Sequence, residues 1–281
     1  MIKLVLCDVD GTLIPLGSHG ASERTMQAIS HVREAGVQFG LATGRDVVEL
    51  MQLFDGNDMP FRTGILSNGN KIMVDGEMVR LSLISNEGLE RLAAKVTEYP
   101  GVMMTAYPFE TDATNPIYCL GTTAEEMAQW AKIYSFNGIL ADDVPPIDII
   151  GATIACPDNE EIMQAVERDA RELCPEFDIA KPSVRWWDIL PKGLNKGTAL
   201  QMLMDELKVT SDEVVMFGDA DNDLAILQAV ENSVVVDGAT PAAKAAAKWH
   251  IGACEDDAVA DALEDIARAA REGGTPAFMC N

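Results

Sequence analysis

Two carboxylates, Asp8 and Asp10, stand where an apolar run (Ile2, Leu4, Val5, Leu6) ends, and Gly11 and Thr12 follow them. The alternation of a strand sends both side chains the same way, and Gly11 lets the backbone turn tightly beside them. Like charges sharing one mouth repel and raise a pKa unless a cation or a shared proton offsets the cost. The chemistry open to this pair is metal binding, acid–base catalysis, or both. Further along, Thr43-Gly44-Arg45 offers a hydroxyl, close backbone amides and a guanidinium. Lys196-Gly197 opens a helical pattern, and Gly218-Asp219-Ala220-Asp221-Asn222-Asp223 supplies a second group of acids.

The elements that must carry these residues follow from apolar periodicity. A strand from Ile2 is followed by a helix from Ser22 to Ala35, with Ser22 as N-cap and Gly36 as its stop, then by a strand over Val37–Ala42 and another helix. Such β-α-β-α alternation predicts an α/β fold with a Rossmann-like parallel sheet, covered by helices and joined by right-handed crossovers. Ligands then collect at the carboxyl ends of the strands. Asp8, Thr43 and Asp219 each follow an apolar strand, so the topology should bring all three to one rim. Val214–Phe217 is the strand before Asp219, and Ser233–Val236 is the last strand expected. Lys71–Val74 and Glu77–Leu81 read as a hairpin turning at Asp75-Gly76. From Leu83 to Leu190 the pattern changes to three helices (Asn86–Glu98, Thr123–Tyr134, Asp158–Leu173) separated by strand-like pieces. The tail from Gly273 reads as frayed.

The chain has 281 residues, 48% hydrophobic and 23% charged, which is enough for two domains with real cores. A formal net charge of −24 argues against extended contact with nucleic acid or an anionic membrane, because both demand basic surface. No run approaches the roughly 20 apolar residues of a membrane span, and no secretory signal opens the chain, so a soluble cytoplasmic protein is expected. Six cysteines without C-x-x-C spacing suggest neither zinc nor a disulfide framework. Cys7, next to the acid pair, reads as a core thiol. Lys181, Arg185, Trp186 and Trp187 form a compact cationic and aromatic group in an acidic chain, with at least one Trp expected in the core.

Asp-x-Asp-Gly-Thr after an N-terminal strand resembles the signature of the haloacid dehalogenase-like hydrolases. With Thr43-Gly44-Arg45, Lys196 and Gly-Asp-x-x-Asn-Asp at 218–223, the chain is similar to the Cof-type phosphatases of that superfamily throughout its length. The resemblance implies an inserted α+β cap, with helices on one face of an antiparallel sheet. The catalytic core is then 1–82 with 191–281, and the cap 83–190. It implies Asp8 as nucleophile, Asp10 as general acid and base, Thr43 and Lys196 on the phosphoryl oxygens, and Mg²⁺ held by Asp8, Asp10 through its carbonyl, Asp219 and Asp223. Thr12, Gly44, Arg45 and Asn222 fall at phosphate-binding positions. Arg185 is the cap residue expected to meet the rest of a small phosphorylated metabolite. Asp237-Gly238-Ala239 departs from the Gly-Asn-Ala usual in related phosphatases. A sugar-phosphate mutase and a noncatalytic phospho-ligand sensor are the rival functions.

Overall fold

The computed structural model describes residues 1–109, 116–134, 136–181 and 183–280. It divides into two compact units, Met1–Leu81 with Asn195–Asn281, and Ser82–Leu194. The second crossing thus falls a few residues beyond the expected Leu190–Pro191 step.

The first unit begins with β1 (Leu4–Cys7), α1 (Glu23–Glu34), β2 (Gln38–Ala42), α2 (Val47–Leu53), β3 (Gly64–Leu66), β4 (Lys71–Val74) and β5 (Glu77–Leu81). Ser22 caps α1 by accepting from the Thr25 amide at 3.0 Å, and the apolar face Ala28, Ile29 and Val32 goes into the core. The hairpin turns at Asp75 and Gly76, both at positive φ, the conformation that a two-residue connection with native twist requires.

The second unit holds α3 (Asn86–Val96), β6 (Met103–Pro108), β7 (Ile117–Leu120), α4 (Ala124–Tyr134), β8 (Gly138–Leu140), β9 (Ile149–Ala155), α5 (Glu160–Leu173), β10 (Phe177–Ala180) and β11 (Trp186–Pro191). Its sheet runs β10-β11-β9-β6-β7-β8 and is antiparallel except for the β7–β8 pair. Met104, Ala152, Ile154 and Trp187 pack with Leu89, Leu92, Val96, Val166 and Ala170, so α3 and α5 cover one face. Met103, Ala155 and Trp186, which alternate with those residues, pack with Trp130 of α4. Helices therefore lie on both faces rather than one. The extra helix follows from the aromatic side chains Trp130, Tyr134 and Phe136, which find a partner in Trp186.

The chain returns to the first unit with α6 (Lys196–Leu207), β12 (Val214–Gly218), α7 (Leu224–Ala229), β13 (Asn232–Val235), α8 (Pro241–Ala246), β14 (Trp249–His250) and α9 (Ala258–Glu272). The strand order is β14-β13-β12-β1-β2-β3-β4-β5, parallel from β14 to β3. From β1 the sheet grows outward through β2 in one direction and through β12 in the other. The crevice at that reversal is where such sheets bind ligands. The tail is packed, not frayed: Met279 is buried, and Phe278 lies 6.2 Å from the Phe217 ring and donates its amide to Asp265.

Candidate active site

Asp8 leaves β1 with its amide still bonded to Phe217 O at 2.9 Å, so the parallel ladder delivers it beside the end of β12. The chain then winds tightly: Leu13 N donates to Val9 O, and Gly11 N to Ile14 O. Gly11 has φ +84, and a Cβ there would sit 2.8 Å from Asp219 Oδ2. Only glycine allows this turn to approach Asp219 so closely. Thr12 is buried and donates from Oγ1 to Asp219 Oδ1 at 2.8 Å, fixing the orientation of that carboxylate.

Lys196 begins α6, whose N-cap, Asn195, accepts from the amides of Gly197 and Thr198 at 2.9 and 3.1 Å. The ammonium is 1% exposed and lies 2.6 Å from Asp8 Oδ1 and 2.7 Å from Asp223 Oδ1. Asp223 is fully buried, and its other oxygen accepts from the amides of Asp219 and Ala220 at 3.1 and 3.3 Å. One carboxylate thus holds both the lysine and the turn that carries Asp219. Lys192, the other lysine of the segment, is exposed and bonds Asp178 in the second unit.

Three carboxylates around a single ammonium leave excess negative charge in a desolvated place. Burial pushes Asp8 up to about 8, helped by Asp223 and Asp219 and opposed by Lys196. Asp219 goes up to about 6, again through burial, with the Thr12 hydrogen bond opposing. Burial works against the charged form of Lys196, but Asp223 and Asp8 outweigh it and hold the ammonium above its ordinary value. Burial also pushes the Cys7 thiol well up, which leaves it a core residue and not a nucleophile. Oxygens of Asp8, Asp219 and Asp223 lie within 4.8 Å of one another. A hard divalent cation would offset the excess charge, and an all-oxygen donor set suits Mg²⁺.

Thr43 follows β2, is buried, and accepts from the Arg45 amide at 3.1 Å. Asp10 receives a two-pronged bond from Arg45, Nε to Oδ2 and Nη2 to Oδ1, both 2.8 Å. The guanidinium expected on phosphate is therefore engaged with the second acid of the pair.

A family model of the haloacid dehalogenase-like hydrolases matches residues 5–263. The chain belongs to that family. It is 26% identical to an HMP-PP phosphatase of Klebsiella pneumoniae (strain 342), over 94% of this chain and 95% of that one. It is 23% identical to the 5-amino-6-(5-phospho-D-ribitylamino)uracil phosphatase of Escherichia coli (strain K12), over 94% and 96%. The solved structure of a subclass IIB sugar phosphatase superposes with a TM-score of 0.76 at 22% identity, covering 93% of this chain and 98% of that chain. This member of the haloacid dehalogenase-like hydrolases therefore has the capped fold that its motifs led one to expect.

Several residues around the acid cluster escape sequence reasoning. Asp46 caps α2, and both its oxygens accept from buried Lys71 at 2.8 Å, pinning the end of the Thr43–Arg45 turn. Lys71 looks like an ordinary hairpin residue in sequence; only its register opposite Leu66 places it at the carboxyl rim. Thr240 donates its amide to Asp219 O and its hydroxyl to Asp221, both at 2.8 Å, so the segment after Asp237-Gly238-Ala239 braces the Asp219 turn. Asn222 is half-buried on that turn. Arg185 lies in the second unit, where Nε donates to Cys156 O at 3.0 Å and the guanidinium sits 4.7 Å over the Trp130 ring. Its neighbours are equally occupied: Lys181 lies over Trp187 and pairs with Glu167, and Trp187, 2% exposed, bonds Val184 O. The structure brings Asp8, Asp10, Thr12, Thr43, Gly44, Arg45, Lys196, Asp219, Asn222 and Asp223 into one unit and leaves Arg185 in the other.

Proposed function

We propose that the chain is a Mg²⁺-dependent phosphatase of a small phosphorylated metabolite and works through an aspartyl-phosphate on Asp8. The observation that carries this reading is the buried Lys196 ammonium between Asp8 and Asp223 at the reversal of the parallel sheet, with a second acid two residues from Asp8. The relatives named for HMP-PP and for 5-amino-6-(5-phospho-D-ribitylamino)uracil support a metabolite-sized ester as substrate.

An Asp8 oxygen attacks phosphorus in line, forming an acyl phosphate as the ester P–O bond breaks. Asp10 gives its proton to the departing alkoxide, then takes one from the water that attacks the acyl phosphate and returns Asp8 to a carboxylate. Arg45 fixes the rotamer of Asp10, while Lys196 and Thr43 hold phosphoryl oxygens and stabilise the charge that develops on them. Asp8, Asp219 and the Asp10 carbonyl, backed by Asp223, would hold Mg²⁺, which screens the charge of the incoming ester.

Phosphate release from an aryl phosphate and from a panel of sugar, nucleotide and cofactor phosphates, with and without Mg²⁺, tests the reading. Wild type should turn over only with the metal, and Asp8→Asn should fall to background with its circular dichroism unchanged, because an amide is a poor nucleophile. Substantial turnover by Asp8→Asn would overturn the covalent scheme. Transfer of the phosphoryl group to a sugar without free phosphate would make the protein a mutase.

A further inference from the structure

The loop after β3, Ser67 to Asn70, is built at a backbone cost that the hairpin it leads into does not explain. Ser67 and Asn68 stand at φ +50 and +55, two successive non-glycine residues in the left-handed region, which is sparsely populated and recurs at ligand sites. The surrounding structure enforces it. Asn68 N donates to Thr43 O at 2.9 Å and Ser67 N to Arg45 O at 3.0 Å, so the loop is tied to the turn that carries Thr43. On its other side, a Cβ at Gly69 would come within 2.9 Å of the Ala199 Cβ and 3.2 Å of Asn195 O, at the start of the helix that carries Lys196. The loop is thus wedged between the segments supplying Thr43 and Lys196. Among the described residues it also keeps two buried polar atoms without a hydrogen-bond partner, Ser67 Oγ and Asn70 Oδ1. Such orphans are unusual in a packed core.

The Asn68 side chain shows what the loop presents. It is buried, and its carboxamide lies against the middle residue of Thr43-Gly44-Arg45: a Cβ on Gly44 would be 3.2 Å from Nδ2 and 3.3 Å from Oδ1. Gly44 is therefore the residue that lets this amide reach the turn. We propose that Asn68 is a further phosphate-binding residue, donating from its carboxamide to an oxygen of the phosphoryl group beside Thr43. The assignment rests on the phosphatase reading above. An amide donor at this place adds affinity without another charge, in a site that already carries Lys196 and Arg45.

Substitution by glycine separates the side chain from the backbone, because glycine adopts the left-handed conformation without strain. If Asn68 serves only the turn, folded Asn68→Gly should bind ligand as wild type does. If the carboxamide binds phosphate, inorganic phosphate, titrated by calorimetry against the folded variant in the presence of Mg²⁺, binds about tenfold more weakly. KM for an aryl phosphate should rise in parallel. Asn68→Asp, which keeps the shape and tolerates the same backbone, should weaken phosphate binding further by placing an anion beside the ligand. Equal phosphate affinity in wild type and Asn68→Gly, with wild-type turnover intact, would overturn the role of Asn68 alone. A wild type that neither binds phosphate nor hydrolyses esters would overturn the phosphatase reading and this assignment with it.

Discussion

The two units each contain a tight group of cationic side chains, and they use them in opposite ways. In the first unit, Lys196 is buried between two carboxylates, Asp8 and Asp223, that lie far from it in sequence. In the second, Arg185 and Lys181 lie over the rings of Trp130 and Trp187 at 4.7 and 4.3 Å and donate further bonds to Cys156 O and Glu167. The difference lies in the sheets. A parallel sheet aims every strand's exit at one rim, so charged residues placed at those exits must converge and be desolvated together. An antiparallel sheet alternates its strand directions and gathers no such rim, and its long cations cover apolar rings while their charged ends remain near water.

Removing the cation from each group is the most direct way to break that comparison. Lys196→Met leaves Asp8 and Asp223 buried without their ammonium, and the loss of one partner of a buried pair should cost about 3–5 kcal/mol near neutral pH in metal-free protein. Urea unfolding measures this, and turnover should be lost as well. Excess charge should next appear as a coupling between pH and metal. The folded-state values of Asp8 and Asp219, about 8 and about 6, lie above the ordinary carboxylate value, so the proton-bound cluster stabilises the fold at low pH and that contribution is lost as pH rises through 6 to 8. A cation replaces the lost protons. The increase in melting temperature on adding Mg²⁺ should therefore grow from pH 6 to pH 8.5, and a shift independent of pH would mean that the ion does not compete with protons at this cluster.

The smallest effect belongs to the second unit. Arg185→Ala removes a stacked, half-buried guanidinium and should cost only about 0.5–2 kcal/mol. Kinetics on an aryl phosphate and on the best metabolite of the panel should change by the same factor. A selective loss on the larger substrate would give Arg185 the substrate-binding role that its sequence neighbourhood suggested, and would make the second group a binding site as well.

Sequence alone determined the parallel sheet, the change of pattern that sets the second unit apart, and the arrival of Asp8, Thr43 and Asp219 at one edge. These follow from local signals: an apolar run fixes a strand, the residue after it is the strand's exit, and alternation with helices makes the exits point one way. The Asp75-Gly76 turn and the Ser22 cap were legible for the same reason, since each is set by a few adjacent residues. Only the tertiary structure decided who pairs with whom. With 21 basic and 45 acidic residues, composition allows a great many ion pairs, and charge alone carries no range information. Arg45 on Asp10, Lys71 on Asp46, and Asp223 beneath Lys196 depend on strand register and helix placement, which join residues as far apart as Asp8 and Lys196. The packed tail and the helix on the second face of the cap sheet were hidden likewise, because each is held by side-chain packing across distant segments rather than by any pattern within its own.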